Sequence, residues 1–267
     1  HPETDAVFER KVLYTNLPEP DYMGNRPMIM SLLTFADKVE PSLWDRHEEI
    51  LSAMDLKGDY QRKNLRTVLA ALDVLKGIES VFAGKVHAVP QNSGVSSALS
   101  REKCTRSLIS TAQRTGFGGR WQQICDSPVT IVDIGHNEHG LKYNFAQLQR
   151  MKDEGRCTHI IMVYGSVADK DVESVIHLMP EDAAYIFTQA HGKRALSASV
   201  IKEKYLAFCE ETGRCADDVH VAADVAEAVA LSREMASRIM DADPSACPLI
   251  YIGGSTYVVS EAIVALK

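Results

Sequence analysis

At 267 residues, with 45% hydrophobic and 24% charged positions, the chain has a globular composition and enough material for one large domain or two ordinary ones. Its 29 basic against 36 acidic residues leave a net charge of -7, which argues against a nucleic-acid surface and against an electrostatic grip on anionic membranes. No apolar run approaches the roughly 18 residues of a membrane span, so neither nucleic acid nor a membrane is expected as partner; a monomer is expected, although composition leaves the oligomeric state open.

The first fifty residues differ from the rest. Thr4 to Lys11 fits one short helix, Leu17 to Pro27 is dense in turn residues, and Ile29 to Phe35 with Val39 fits a strand or a short helix equally. Gly58 to Asn64 reads as a polar loop, with Asn64 as a possible cap. In the helix that follows, Leu65, Val68, Leu69, Leu72 and Leu75 recur at helical spacing. Ala83 to Ser97 reads as a connector. Ser100 then caps a helix over Arg101–Arg114, which Gly116, Gly118 and Gly119 end, and these glycines mark the expected domain boundary.

From Arg120 onward the pattern alternates. Strands are expected at Trp121–Ile124, Val129–Ile134, His159–Tyr164, Ala184–Thr188, Val219–Ala222 and Leu249–Ile252. Helices are expected at Glu138–Glu154, Asp169–Leu178, Ser197–Thr212, Val225–Ala242 and Tyr257–Leu266. Such alternation with short connections predicts an α/β fold, a Rossmann-like and mostly parallel sheet with helices on both faces.

The six cysteines, Cys104, Cys125, Cys157, Cys209, Cys215 and Cys247, form no C-x-x-C pair, which points to buried thiols in a reducing, cytoplasmic setting. The chain opens His1-Pro2-Glu3-Thr4, with no initiator Met and no visible signal peptide.

The absences bound the chemistry. There is no G-x-x-x-x-G-K-[ST], no G-x-G-x-x-G opening a helix after a strand, and no G-x-S-x-G elbow. Thr115-Gly116-Phe117-Gly118-Gly119 precedes a strand, so it is no dinucleotide fingerprint.

Four places could carry chemistry. Asp133, His136 and Asn137 stand where a strand gives way to a helix. There Asp133 can accept from a ribose or a cation, and His136 can donate to an anion or act as acid or base. The same turn reads equally as a helix cap with Asn137 as N-cap and Glu138 at the positive helix end. Arg120, placed by a glycine turn, can clamp phosphate or stack on adenine, although a lone Arg is more often surface charge. Gly253-Gly254-Ser255-Thr256-Tyr257 allows a ligand near the backbone, with Ser255 offering a hydrogen bond or simply capping. Asp169 and Asp171 suit a helix N-terminus. No metal ligand set is expected within the chain, because His136 and His139 lack partnering carboxylates.

In this order, the runs Gly119-Arg120-Trp121-Gln122, Asp133-Ile134-Gly135-His136-Asn137, Ala168-Asp169-Lys170-Asp171 and Gly253-Gly254-Ser255-Thr256-Tyr257-Val258-Val259 resemble the bifunctional dihydrofolate synthase/folylpolyglutamate synthase family, among the Mur ligases. Gln61-Arg62-Lys63-Asn64-Leu65 is similar to the family's Asn-containing segment near the end of its ATPase domain, and His1-Pro2-Glu3-Thr4 to the stretch after its magnesium-binding segment. The resemblance implies an ATP-dependent ligase. ATP phosphorylates the carboxylate of dihydropteroate or a folate, and the amine of L-glutamate attacks the acyl phosphate. It implies ATP and Mg2+ as cofactors, Asn64, Arg120 and Asp133 as ATP contacts, His136 as the catalytic residue, and His136 with Ser255 near the glutamate.

The family's P-loop, magnesium ligands and modified lysine have no counterpart in this sequence. Residues 1–116 are therefore expected to be a remnant of the central ATPase domain plus linker, and 117–267 a Mur ligase-type C-terminal domain. The chain alone is expected to be inactive. Asp133→Ala is expected to weaken ATP use more than folding. The alternatives are a Mur-type cell-wall peptide ligase and a stand-alone, non-catalytic domain that binds a nucleotide or a partner.

Overall fold

The computed structural model describes residues 34–85 and 100–267. The expected helix over Thr4–Lys11, the Leu17–Pro27 loop and nearly all of the Ile29–Phe35 segment lie outside them, as do residues 86–97 of the connector. The chain divides into two compact units, His1–His47 with Lys63–Cys104, and Glu48–Arg62 with Thr105–Lys267. Helices α1 (His47–Ala53), α2 (Gln61–Lys85), α3 (Arg101–Ile109) and α4 (Thr111–Thr115) precede the sheet in sequence.

In the first unit, Leu43, Leu65, Leu69 and Cys104 are buried. Arg66 donates from Nε to the Ala36 carbonyl (2.7 Å) and from Nη2 to that of Val39 (2.8 Å), with its guanidinium over the Trp44 ring. The spacing of Leu65, Val68, Leu69, Leu72 and Leu75 predicts one buried face, yet Val68 and Leu75 are exposed. Asn64 is not a cap. Turn bonds from Gln61 N to Gly58 O and Arg62 N to Asp59 O start the helix three residues earlier.

The expected helix over Arg101–Arg114 is broken at Ser110. There the hydroxyls of Ser110 and Thr111 bond back to the carbonyls of Arg106 and Ser107, competing with the helix ladder.

The second unit is built on a six-stranded sheet ordered β1-β2-β6-β3-β4-β5. β1 (Gln122–Asp126) runs antiparallel to β2 (Val129–Asp133). The pairs among β2, β6 (Pro248–Gly253), β3 (His159–Tyr164), β4 (Ala184–Phe187) and β5 (Val219–Val221) are all parallel. Between the strands come α5 (Glu138–Asp153), α6 (Val172–Ile176), α7 (Ala198–Thr212) and α8 (Val225–Ala242), with α9 (Thr256–Ala265) last. This is the predicted α/β architecture.

Strands covered on both sides must be apolar throughout, and β6 is buried at all its positions. The two-residue pleat sorts side chains between two cores. Ile131, Met162, Tyr164, Tyr185, Phe187 and Tyr251 face α5, α6 and α7. Val132, Ile161, Val163, Ile186, Ile250 and Ile252 face α8 and α9. Each such buried side chain contributes about 1.5–3 kcal/mol.

Helix starts follow the capping rules. Asn137 accepts from Gly140 N, Asp171 from Glu173 N and Ser174 N, Asp224 from Glu227 N, and Ser255 from Val258 N. The helix expected over Asp169–Leu178 is shorter because Asp171, and not Asp169, is its cap. Cys104, Cys157 and Cys209 are buried thiols as expected, but Cys215 and Cys247 are exposed. Among the described residues no helix is long and apolar enough to cross a membrane.

Candidate functional site

The topology places the polar turns. α5 leaves β2 towards one face, whereas α9 leaves β6 towards the other. Adjacent parallel strands whose connections diverge leave a crevice at their carboxyl ends, where open α/β sheets bind ligands. Asp133 at the end of β2 and Tyr164 at the end of β3 both pair in register with Gly253 at the end of β6. The segments Ile134–Asn137, Gly254–Ser255 and Gly165–Ser166 therefore emerge side by side.

Close approach at this edge requires glycine. A Cβ on Gly254, whose φ is +96°, would lie 2.5 Å from the Gly165 carbonyl oxygen, and one on Gly165 would lie 2.4 Å from that of Thr188.

Asp133 is the hub. Its carboxylate is 0% exposed. Oδ2 accepts from Tyr60 Oη and Trp121 N, each at 2.7 Å. Oδ1 accepts from Gly135 N at 2.6 Å and Asn144 Nδ2 at 2.8 Å. Asn144 also donates to Tyr251 Oη at 2.9 Å. A buried carboxylate is tolerated when donors surround it, and this one has two per oxygen.

Trp121 has a φ of +46°, uncommon for a side chain of its size, and its N–H is held by Asp133. The half-buried Arg120 precedes it, with its guanidinium 6.0 Å from the Tyr60 ring centroid. Burial, reinforced by the neighbouring Asp133 charge, pushes the Tyr60 phenol far above its usual range, so the hydroxyl stays a donor. Burial does the same to Tyr251.

The other expected site residues fall as follows. His136 is exposed, with Nδ1 3.1 Å from the Ile134 carbonyl oxygen. Asn137 caps α5 as the plainer reading expects, so the turn is both a cap and the surround of a buried carboxylate. Ser255 is 3% exposed and caps α9. It borders a cleft of ≈ 190 Å³ with Ser166, His191, Lys193, Arg194 and Tyr257. Arg194 pairs with Asp169 at 2.9 Å, and His191 is tied to Glu261 of α9 by its backbone N–H (2.8 Å) and Nδ1 (3.0 Å). Arg120 borders a second hollow with Asp55, Gln113, Phe117 and Gln122.

The structure thus ties Trp121, the residue after Arg120, to Asp133 and sets His136 and Ser255 on neighbouring turns of the same edge. Asn64 is an exposed residue of the other unit. Among the described residues no group of three or more His, Cys, Asp or Glu side chains converges as a metal-ligand set.

Sequence reasoning missed Tyr60, Asn144 and Tyr251. The only signal was position: Tyr60 lies in the loop beside the Asn-containing segment, and Asn144 lies two turns into the helix after Asp133.

Residues 119–241 match the family described as "Mur ligase, glutamate ligase domain". Over 100 residues the chain is 28% identical to a dihydrofolate synthase/folylpolyglutamate synthase of Buchnera aphidicola subsp. Schizaphis graminum, covering 37% of this chain and 23% of that protein. A protein of the same name from Buchnera aphidicola subsp. Baizongia pistaciae is 30% identical over 103 residues, covering 38% and 23%. The matched stretch thus spans under a quarter of these relatives. The folylpolyglutamate synthase of Mycobacterium tuberculosis, solved with ADP, superposes with a TM-score of 0.55 at 21% identity, over 80% of this chain and 41% of that one. That likeness is one of fold.

Proposed function

We propose that the chain, whose residues 119–241 match the Mur ligase glutamate ligase domain and which is similar over part of its length to dihydrofolate synthase/folylpolyglutamate synthases, forms part of an ATP-dependent ligase adding L-glutamate to dihydropteroate or a folate in the cytoplasm. In such a reaction the acceptor carboxylate takes the γ-phosphoryl group of ATP and ADP leaves. The glutamate amine then attacks the acyl carbon, forming the amide and releasing phosphate. The protein's part is placement and charge neutralisation. Arg120 neutralises phosphate charge. Asp133 sustains the nucleotide side of the site, and Asn64 contributes from the segment before it. Ser255, at the positive end of α9, receives a glutamate carboxylate. His136, exposed on the turn after β2, exchanges the proton of the attacking amine.

The observation that best supports this reading is the register of Asp133, Gly253 and Tyr164, which brings the Arg120–Asp133 cluster and the Ser255 turn to one crevice edge. The sequence holds no G-x-x-x-x-G-K-[ST] loop, so the phosphate grip and the Mg2+ that ATP carries are assigned to polypeptide outside these 267 residues. Residues 1–116 are read as ATPase-domain remnant and linker, and 117–267 as the C-terminal domain. By itself the chain does not turn over.

The test is a ligation assay with labelled L-glutamate and ATP, using dihydropteroate, a reduced folate or a UDP-muramoyl peptide as acceptor. It is run on the purified chain and on the gene product that contains it. Incorporation into the pterin acceptors by the longer product alone is expected. Incorporation into the muramoyl peptide selects the cell-wall alternative, absence of incorporation by the longer product selects a non-catalytic domain, and turnover by the 267 residues alone defeats the division of labour.

A further inference from the structure

The Asp133 carboxylate accepts four hydrogen bonds and is wholly buried. A ligand hydroxyl could reach it only by displacing one of its four donors. Gly135 and Trp121 donate from the backbone, and Asn144 is itself tied to Tyr251. The fourth donor, Tyr60, arrives from a loop 73 residues away in sequence.

That loop is held in place. Asp59 N donates to Gln147 Oε1 at 2.8 Å, Gln147 Nε2 donates to the Lys57 carbonyl at 3.3 Å, and the Asp59 carboxylate meets Arg150 at 2.5 Å. Gln147 is 6% exposed, an unusual state for its type that this pair of bonds explains. Asn144, Gln147 and Arg150 recur every three residues along one stripe of α5, so a single helix surface carries both the carboxylate's amide donor and the loop's anchors. Gly58 leaves the space the ring needs, since a Cβ there would lie 2.4 Å from Tyr60 Cε1.

We propose that Tyr60 is a positioning residue for the nucleotide-contacting Arg120, its ring supporting the guanidinium and its hydroxyl locking the Asp133 carboxylate that holds the Trp121 N–H and so aims the Arg120 turn. The proposal rests on the nucleotide role given to Arg120 above. It changes the role of Asp133 from touching the nucleotide to holding the residue beside the one that does. The two effects separate by substitution. Tyr60→Phe keeps the ring and removes the lock, while Tyr60→Leu removes both.

The experiment is an ADP titration by NMR of the 15N-labelled gene product that contains this chain, well below its melting temperature. It follows the Arg120 Nε–H and the Trp121 and Gly135 amides. In the wild type, ADP shifts the Arg120 Nε–H. Tyr60→Phe displaces the Trp121 and Gly135 amides before any ligand is added and weakens ADP binding about five- to tenfold, a loss within the net contribution of one hydrogen bond. Tyr60→Leu weakens it further.

Asp133→Asn reproduces the Tyr60→Phe loss. The double variant adds little to either, because the two groups act as one unit. If the wild type binds ADP and both Tyr60 variants bind it equally well, the positioning role is overturned while the nucleotide reading stands. Full additivity in the double variant also overturns the role. If ADP leaves the wild-type Arg120 signal unmoved, the nucleotide reading fails and the positioning role falls with it.

Discussion

Two regions at the carboxyl edge of the sheet differ in kind. Around Asp133 every oxygen of a buried carboxylate is committed, and the surrounding side chains are Tyr60, Trp121, Asn144 and Tyr251. Around Ser255 the surface opens into a cleft edged by exposed His191, Lys193 and Arg194. A polar group already satisfied by the protein acts through what it holds, whereas one at an open cleft can exchange partners with a ligand. The first region should therefore respond to mutation mainly in stability and in the aim of Arg120, and the second mainly in ligand binding.

The largest effect expected is that of Asp133→Ala. It strands the hydroxyl of Tyr60, two backbone N–H groups and an amide in the interior, at a cost of about 3–5 kcal/mol. Urea unfolding of the chain measures it, and a loss under about 1 kcal/mol would mean that water replaces the carboxylate and that the region is not closed. The sequence alone placed the effect of this substitution on ATP use more than on folding. Its four buried donors move that expectation towards folding.

Gly254→Ala comes next. It forces a side chain onto a φ of +96° with its Cβ 2.5 Å from the Gly165 carbonyl oxygen, which costs about 2–4 kcal/mol and lowers the melting temperature. An unchanged melting temperature would show that β6 and β3 are not locked together at the crevice.

Ser255→Ala removes a cap and costs only about 1 kcal/mol of stability. Its effect on glutamate binding should be disproportionately large, and equal effects on both would reduce Ser255 to a structural residue.

The smallest effect concerns the clasp between His191 and Glu261. The Glu261 carboxylate raises the His191 pKa above its ordinary 6.5. A raised folded-state value means that the contribution is complete below pH 6.5 and is lost as pH rises through the higher, folded value. The His191 Cε1 proton should titrate above 6.5 in the wild type and fall back in Glu261→Gln. A midpoint that does not respond to Glu261→Gln would show that the clasp does not persist in solution.

Much of this was legible in the sequence. Alternating apolar segments located all six strands to within a residue or two at most ends, because a doubly covered sheet demands unbroken apolar runs such as Leu249 to Ile252. The polar turn after β2 was legible as a site or a cap, and it is a cap that also encloses a buried carboxylate. The antiparallel setting of β1 was not legible, since neighbouring strands with a short turn do not declare their partners further along the chain. Ser110 was hidden because back-bonding by its hydroxyl competes with the helix only once the helix exists. Tyr60 was hidden because its partner is 73 residues distant and its own neighbourhood, Gly58-Asp59-Tyr60, reads as an ordinary loop.

The contrast between the two regions is tested most directly by titrating the 15N-labelled chain with L-glutamate. The account predicts that the amides of His136, Ser255 and Val258 shift, while Gly135 N–H and the Asn144 side-chain amide, both committed to Asp133, stay in place. Shifts at Gly135 and Asn144 with Ser255 unmoved would contradict it, since the ligand would then be displacing the donors of the closed centre and ignoring the open cleft.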